Sequence, residues 1–229
     1  YGRDVVEIDL LKRVEVLKGP SSALYGSDGL AGAVAYTTKD PSDYLDGKQF
    51  HVSSSARHDS SSDRNKFSIL AAGAYGDIEA MVQVVDHSLS ERNLHDDVTM
   101  AANGLDGEQE SLFTKLKYNL NDSISFTLTA DEQNWSGDWN LATDVGMSFF
   151  PAIVNTSSSL GQDRGFRDRY SLDIDLEINS IFAERASVKF YSQTTEQSQM
   201  TTKEKQTFDR GPQFGPCLLY TSDAADERN

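Results

Sequence analysis

Cysteine, positive charge and long apolar runs are all scarce in this chain. Its 229 residues include one cysteine, Cys217, which excludes disulfide scaffolds, cysteine-rich zinc sites and iron–sulfur clusters. No apolar run is long enough to cross a bilayer as a helix. The 21 Lys and Arg residues face 36 Asp and Glu, and the net charge of −15 without any basic cluster excludes a nucleic acid as partner.

The two ends of the sequence do not look like those of a complete protein. Tyr1 is not an initiator methionine and no leader follows it, so we expect any signal peptide to lie upstream. The stretch from Cys217 to Glu227 resembles a translated sequencing adaptor. We therefore expect residues 217–229 to be a non-native tail and leave them out of the fold prediction.

The first forty residues have the pattern of a strand, a helical turn and a second strand. Residues 13–20 alternate in polarity, and Pro20 with the serines after it suits the start of a helix. Gly26 is placed for a helix C-cap, and residues 31–39 are small or β-branched, as in a strand.

From Gln49 onward the apolar residues recur at every second position. Runs of this kind are half-buried strands with one apolar and one polar face, and they are as long as the ~9–11 residues that a tilted strand needs to cross a bilayer. The polar faces that we expect to line a lumen carry Lys115, Lys117, Asp173, Asp175 and Glu177.

Short and long connections alternate between these strands. Residues 75–77, 119–122 and 179–184 are tight, whereas residues 89–110 and 133–165 are long and polar. This asymmetry is typical of an up-and-down barrel in an outer membrane, with brief periplasmic turns on one rim and extended extracellular loops on the other.

The segment from Arg13 to Pro41 resembles the C-terminal part of the plug domain of TonB-dependent outer-membrane receptors. The match is ordered, gapless and placed directly before the long strands, and it includes a Lys-Gly-Pro step, a Leu-Tyr-Gly-Ser run and a strand that ends in Thr-Lys. The residues that carry it are Arg13, Glu15, Lys18, Gly19, Pro20, Leu24, Tyr25, Gly26, Ser27, Gly32, Thr38 and Lys39.

This resemblance implies a mainly β fold in two parts. Residues 1–41 would be the end of a small α+β plug, and residues 42–48 would connect it to the wall. Residues 49–216 would then form roughly the first eight strands of a transmembrane antiparallel barrel that is incomplete and open.

Residues 30–45 are most similar to the branch of receptors for haem, haemoglobin and transferrin. The branch implies energy-coupled uptake of haem or an iron-carrying protein across the outer membrane of a Gram-negative bacterium. The TonB protein would then be a partner, the outer surface would face lipid, and haem or a ferric complex would be cargo rather than a permanent cofactor. Ferric-siderophore receptors of the same fold remain an alternative, although they more often carry Gly-Gly and Asn where this chain has Gly32-Ala33 and Ala35.

The expected ligand-binding residues lie in extracellular loops. A neutral imidazole in an extracellular loop can ligate haem iron, which makes His58 and His95 candidates. Large apolar side chains in such loops are suitable anchors for a partner protein. They are Trp135, Trp139, Phe149 and Phe150.

The resemblance also places the plug inside the lumen, held by hydrogen bonds and ion pairs. Cations of the plug, namely Arg3, Lys12, Arg13, Lys18 and Lys39, would pair with lumen carboxylates, for example Arg13 with Asp173. No nucleophile–base arrangement, phosphate loop or metal-binding motif is present, so we expect neither an enzyme nor a metal site.

Two other classes of protein fit part of the pattern. A secreted soluble β-sandwich would press the apolar strand faces against a second sheet and would stay folded without detergent. A passive porin would share the strands, but the plug-like segment argues against it.

Overall fold

The structure is a computed structural model. It describes residues 7–19, 32–94, 102–148, 153–178 and 184–208, and the backbone of residues 219–228. None of its helices in these ranges is long and apolar enough to cross a membrane. The strands are β1 (Leu11–Lys18), β2 (Gly32–Thr38), β3 (Phe50–Asp59), β4 (Arg64–Tyr75), β5 (Ile78–Ser90), β6 (Gly104–Asn121), β7 (Ile124–Asn140), β8 (Gly146–Ser148), β9 (Ile153–Glu177), β10 (Arg185–Phe208) and β11 (Leu219–Arg228). The helices are two 3₁₀ turns, Ile8–Leu10 and Ala142–Asp144, and one short α-helix, α1 (Ser42–Leu45).

Strands β1 and β2 form an antiparallel hairpin of their own. Their register places Lys18 opposite Gly32 and Val14 opposite Tyr36. At Gly32, φ is +151° and a Cβ atom would lie 2.5 Å from the carbonyl oxygen of Leu17, so only glycine fits. The two extended segments predicted here are therefore confirmed, whereas the helix predicted after Pro20 lies outside the described residues. We call residues 7–19 and 32–45 the plug segment.

The other nine strands form one antiparallel sheet, which we call the wall. Its order, β3-β4-β5-β6-β7-β9-β10-β11, follows the chain, and the short β8 pairs beside β9. Tight turns at residues 76–77 and 122–123 join strands at one end of the wall. Within the described ranges the sheet is open, since β3 and β11 pair on one side only.

The two faces of the wall differ as the alternation predicts. One face, which we call inner, carries Phe113 and Lys115 and lies against the plug segment, where both side chains are buried. The opposite, outer face is exposed and apolar, and a soluble sandwich would cover it with a second sheet. Among the described residues it includes Phe67, Ile69, Val82, Val84, Leu112, Leu116, Leu128, Tyr170, Val188 and Phe190.

The long connections predicted from the sequence are mostly strand. Strand β5 continues to Ser90 and β6 begins at Gly104, while β7 runs to Asn140 and β9 begins at Ile153. Strands β9 and β10 have 25 and 24 residues, far more than the ~9–11 needed to cross a bilayer. The prediction was wrong because the outer face of these strand ends is mostly polar too, which removes the alternation of an apolar outer with a polar inner face.

A small apolar core joins the plug segment to the wall. Leu10 and Leu45 of the plug segment pack with Leu70, Ala72, Met81 and Phe113 of β4, β5 and β6. Phe113 is only 1% exposed. This core corrects the expectation that polar contacts alone would hold the plug, and it fixes the plug segment on β4, β5 and β6 of the wall.

Strand β11 lies within residues 217–229, the tail predicted to be non-native. Its backbone pairs with β10, with Leu219 opposite Thr207. The foreign origin of this tail stays a prediction.

Candidate functional site

The first polar contact between plug and wall is centred on Lys66 of β4. Its ammonium Nζ lies 2.7 Å from Asp9 Oδ2 and also contacts Glu7 Oε1. The side chains of Lys66 and Glu7 are 14% and 4% exposed, so this ion pair is shielded from water. A buried ammonium needs such partners because desolvation would otherwise strongly disfavour its charge.

The second polar contact is centred on Lys115 of β6, whose side chain is 7% exposed. Its Nζ donates to Thr38 Oγ1 at 2.9 Å, to the Lys39 carbonyl oxygen at 2.8 Å and to Asp40 Oδ1 at 3.0 Å. Three acceptors match the three donors of an ammonium group. The structure thus joins a residue predicted to face the lumen to the Thr-Lys end of the plug motif.

The charges at this interface are reversed relative to the expectation. The buried cations belong to the wall and the carboxylates to the plug segment. Arg13 pairs with Glu15 on its own strand at 3.2 Å, and Asp173 pairs with Lys189 of β10 at 2.8 Å, so the predicted Arg13–Asp173 pair was wrong. The sequence did contain a signal, since Arg64 and Lys66 are the two cations at the start of an inner face that continues through small and apolar residues.

Two further cations of the plug segment, Lys12 and Lys39, contact the plug segment itself. Lys12 pairs with Asp43 Oδ1 at 2.7 Å, and the Asp40 N–H donates to the other oxygen of the same carboxylate at 2.8 Å. The Lys39 N–H donates to the Leu10 carbonyl oxygen at 2.9 Å. The stretch before β1 and the stretch after β2 are therefore tied together at the wall.

The other residues predicted to face the lumen lie in two places. Asp173 and Asp175 line a cavity of about 310 Å³ between β2 and the wall, together with Lys115 and Lys189. Lys117, Asp175 and Glu177 line a polar pocket at the end of the wall with the tight turns. Within the described ranges, no three His, Cys, Asp or Glu side chains are placed to hold a metal ion.

Trp135 and Trp139 lie on strand β7, not in a loop. Both are half-buried on the inner face, the face that carries Gln133 and Asp131. Their register partners on β9 are glycines, Gly165 opposite Trp135 and Gly161 opposite Trp139. This corrects the prediction of exposed loop anchors.

His58 lies near the end of β3, opposite Asn65, and not in an extracellular loop as predicted. Its Nδ1 is 3.0 Å from Asn65 Oδ1, and its Nε2 is 3.8 Å from Asp63 Oδ1. It shares the outer face with Phe67, because the inner face of β4 carries Lys66 and Ser68. The predicted residues His95, Phe149, Phe150, Pro20, Leu24, Tyr25, Gly26 and Ser27 lie outside the described residues.

A buried polar row crosses the inner face next to the tryptophans, and the sequence analysis missed it. Arg167 Nη2 donates to Asp131 Oδ2 at 2.9 Å, with both side chains about nine-tenths buried. Gln133 is 1% exposed and donates to the other oxygen of Asp131 at 3.2 Å. Three buried atoms of the row have no hydrogen-bond partner, namely Ser111 Oγ, Gln133 Oε1 and Arg167 Nε.

The loop between β7 and β9 is tied to β10 by one carboxylate. Asp144 accepts from Lys203 at 2.7 Å and from Ser159 at 3.0 Å. These two hydrogen bonds hold the pKa of Asp144 below its usual value, and the one from Lys203 has the larger effect. The tie is therefore ionised at neutral pH.

Comparison with known proteins agrees with this architecture. Residues 1–33 match the family model of the TonB-dependent Receptor Plug Domain. The chain is 32% identical over 139 residues to Hemoglobin-binding protein A of Haemophilus influenzae, which is 56% of this chain and 14% of that protein. It is 30% identical over 153 residues to Hemoglobin and hemoglobin-haptoglobin-binding protein of Haemophilus ducreyi, which is 61% of this chain and 16% of that protein. A third relative is Transferrin-binding protein A of Neisseria meningitidis serogroup B, 32% identical over 93 residues, 40% of this chain and 10% of that protein.

A plug sequence followed by a long antiparallel sheet that holds it on one face is the arrangement of a TonB-dependent receptor, and both findings support that family for this chain. The predicted fold class, the end of a plug and the first part of an antiparallel barrel, is confirmed. The relatives that the chain resembles are named for binding haemoglobin or transferrin, which supports the predicted branch. It spans about one seventh of the length of the first two relatives.

Proposed function

We propose that this chain is part of an outer-membrane receptor that takes up an iron source, haem or a haem-carrying protein, with energy supplied through TonB. The match to haemoglobin-binding relatives supports the cargo, and the match to the plug family supports the coupling. The single observation that carries the proposal is the joint between plug and wall. It consists of the Lys66 and Lys115 contacts and the apolar core around Phe113.

The composition of this joint suits a plug that must be both held and released. Ion pairs and hydrogen bonds can exchange partners with water, so the joint opens without exposing a large apolar surface. The apolar core is small, with six buried residues among those described, and it is confined to the stretches that flank the β1–β2 hairpin. A pull from the periplasm would therefore rearrange the plug while the wall keeps its own hydrogen-bonded ladder.

The outer face of the wall fits a lipid environment. Its exposed side chains are aliphatic or aromatic along the middle of β4 to β10, and in water such a surface would cause association. In hydrocarbon, exposure of this apolar face costs no free energy, and the backbone groups within the strand ladder are paired with one another. This is the observation that favours an outer-membrane location over a secreted sandwich.

Growth on haemoglobin tests the proposal. The complete receptor that carries this chain would be expressed in a Gram-negative strain that cannot make haem and lacks haem receptors of its own. We expect growth on haemoglobin as the only haem source in the strain with TonB and none in an otherwise identical strain without it. Growth that does not depend on TonB, or growth on ferric siderophores but not on haemoglobin, would contradict the proposal.

A further inference from the structure

A hollow of about 500 Å³ interrupts the apolar outer face of the wall between β6 and β10. Its floor is a register row in which Thr114 lies opposite Ala130, and the row continues to Tyr170 on β9 and Ser192 on β10. The next row toward the tight turns consists of large apolar side chains, which form the lower edge of the hollow. They are Leu116, Leu128, Leu172 and Phe190. The small side chains of Thr114 and Ala130 thus leave an apolar recess between larger neighbours.

Two carboxylates lie next to this hollow, on the side away from the tight turns. Glu132 and Asp168 are each two residues from the floor, about 6.5–7 Å along the strand, and they lie opposite each other in the register of β7 and β9. Both side chains are half-buried, and in the part of the chain that the structure describes neither forms an ion pair with Lys or Arg. Like charges directly opposite each other destabilise a sheet, so this pair favours a cation from outside the chain.

The Tyr170 side chain connects the two parts of the site. Its ring lines the hollow, and its hydroxyl donates to Glu132 Oε1 at 2.5 Å. The hydrogen bond holds the Glu132 carboxylate beside the hollow. Tyr170 is therefore a positioning residue.

An amphiphile with an alkyl chain and an ammonium head group matches both parts. The alkyl chain fills the apolar recess, and the ammonium donates to Glu132 and Asp168 in charge-assisted hydrogen bonds. A bare phosphate would be repelled by the same carboxylates. In the proposed outer-membrane orientation, the side away from the tight turns is the extracellular side, where the leaflet consists of lipid A and its derivatives.

We propose that the hollow binds one molecule of lipid A whose phosphate carries ethanolamine. One acyl chain lies over Thr114 and Ala130, and the ethanolamine ammonium bonds to Glu132 and Asp168. The site rests on the proposed outer-membrane location, and it adds a specific lipid partner to the apolar outer face.

The test compares lipid A with and without ethanolamine on its phosphate. Native mass spectrometry of the purified complete receptor measures how much of each lipid stays bound. We expect the wild type to prefer the modified lipid about 5-fold, the upper value for a partly exposed ion pair, and Glu132→Gln with Asp168→Asn to abolish this preference. Thr114→Leu with Ala130→Leu fills the hollow with apolar atoms, so it should lower the binding of both lipids about 5-fold or more, because the displaced chain loses its packing contacts.

Each double variant has a matched control on the same face of the wall. Asp86→Asn with Glu110→Gln removes another pair of opposite carboxylates, which lies next to the exposed side chains of Val84 and Leu112 instead of the hollow. Ala56→Leu with Ala71→Leu adds the same volume on β3 and β4. Both controls should keep the binding and the preference of the wild type. Mobility on unboiled gels would show that each variant keeps a folded barrel.

Several results would overturn the site. They are equal binding of the two lipids by the wild type, wild-type binding in the variant with a filled hollow, and equal losses in a variant and its control. Unmodified lipid A that binds as tightly as the modified lipid once Mg²⁺ is added would also overturn it, because a metal ion would then replace the ammonium.

The growth assay separates this site from the proposed function. If the wild-type receptor supports growth on haemoglobin but does not distinguish the two lipids, only the site fails. If the receptor binds the modified lipid through Glu132 and Asp168 but haemoglobin supports no growth, only the proposed uptake fails.

Discussion

Replacing Lys115 by methionine tests the joint between plug and wall most directly. Methionine fills nearly the same volume but removes the ammonium that bonds to Thr38, Lys39 and Asp40. Removal of one partner from a fully buried ion pair costs about 3–5 kcal/mol. The Asp40 side chain is 43% exposed and regains water, so about 2–3 kcal/mol remains, close to the value of a charged hydrogen bond.

The loss should appear as faster hydrogen exchange in the plug segment. The reporter is the Lys39 amide, which donates to the Leu10 carbonyl oxygen at 2.9 Å and exchanges when the joint opens. At about 1.4 kcal/mol for each tenfold change, its exchange should accelerate about 30- to 150-fold in the complete receptor. The measurement is exchange followed by mass spectrometry of the peptide that contains residues 38–45.

A matched control lies two residues away on the same face of the same strand. Lys117 lines the polar pocket at the tight-turn end of the wall, so Lys117→Met should change the exchange of Lys39 very little. An acceleration below about threefold in Lys115→Met would refute the reasoning, since that is less than 1 kcal/mol. An equal effect of both substitutions would refute it too.

Three further predictions concern the core, the buried row and the loop tie. Phe113→Ala should lower the free energy of unfolding by about 3–5 kcal/mol in denaturant titrations, and a loss no larger than that of Leu112→Ala on the outer face would contradict the packing. Asp131→Ala should cost about 3–5 kcal/mol because it leaves a buried guanidinium, and adding Arg167→Met should restore a large part of it in the same titration. Asp144 has a lowered pKa, so its tie is complete above the usual carboxyl pKa of about 3.9 and is lost as the pH falls through the lower folded value. Asp144→Asn should therefore speed amide exchange in this loop at pH 7, while a difference from wild type that persists in strong acid would refute the role of the charge.

The period-two pattern predicted the strands because successive residues along the wall alternate between its apolar outer face and its inner face. Leu112 and Phe113 are neighbours in the chain, yet one faces outward and the other is buried against the plug segment. The pattern failed where the outer face of a strand becomes polar, so that the apolar residues no longer mark that face. Trp135 and Trp139 were placed in a loop for that reason, although both belong to β7.

The contacts that hold the plug could not be predicted from local sequence. Lys66 and Glu7 are 59 residues apart, and Lys115 and Asp40 are 75 apart. No local motif or composition therefore indicates that either pair is in contact. The sign of the charge on each side was also ambiguous, because plug and wall both carry lysines and carboxylates. Only the register of β4 and β6 shows which lysines point inward.

The short sequence range of the joint has a consequence for biogenesis. Its wall partners all lie on β4, β5 and β6, and each of these strands pairs with the one before it in the chain. The plug segment can therefore bind to these strands while the barrel is still open, before the later hairpins are added. A receptor assembled in that order never has to thread a folded domain through a closed ring.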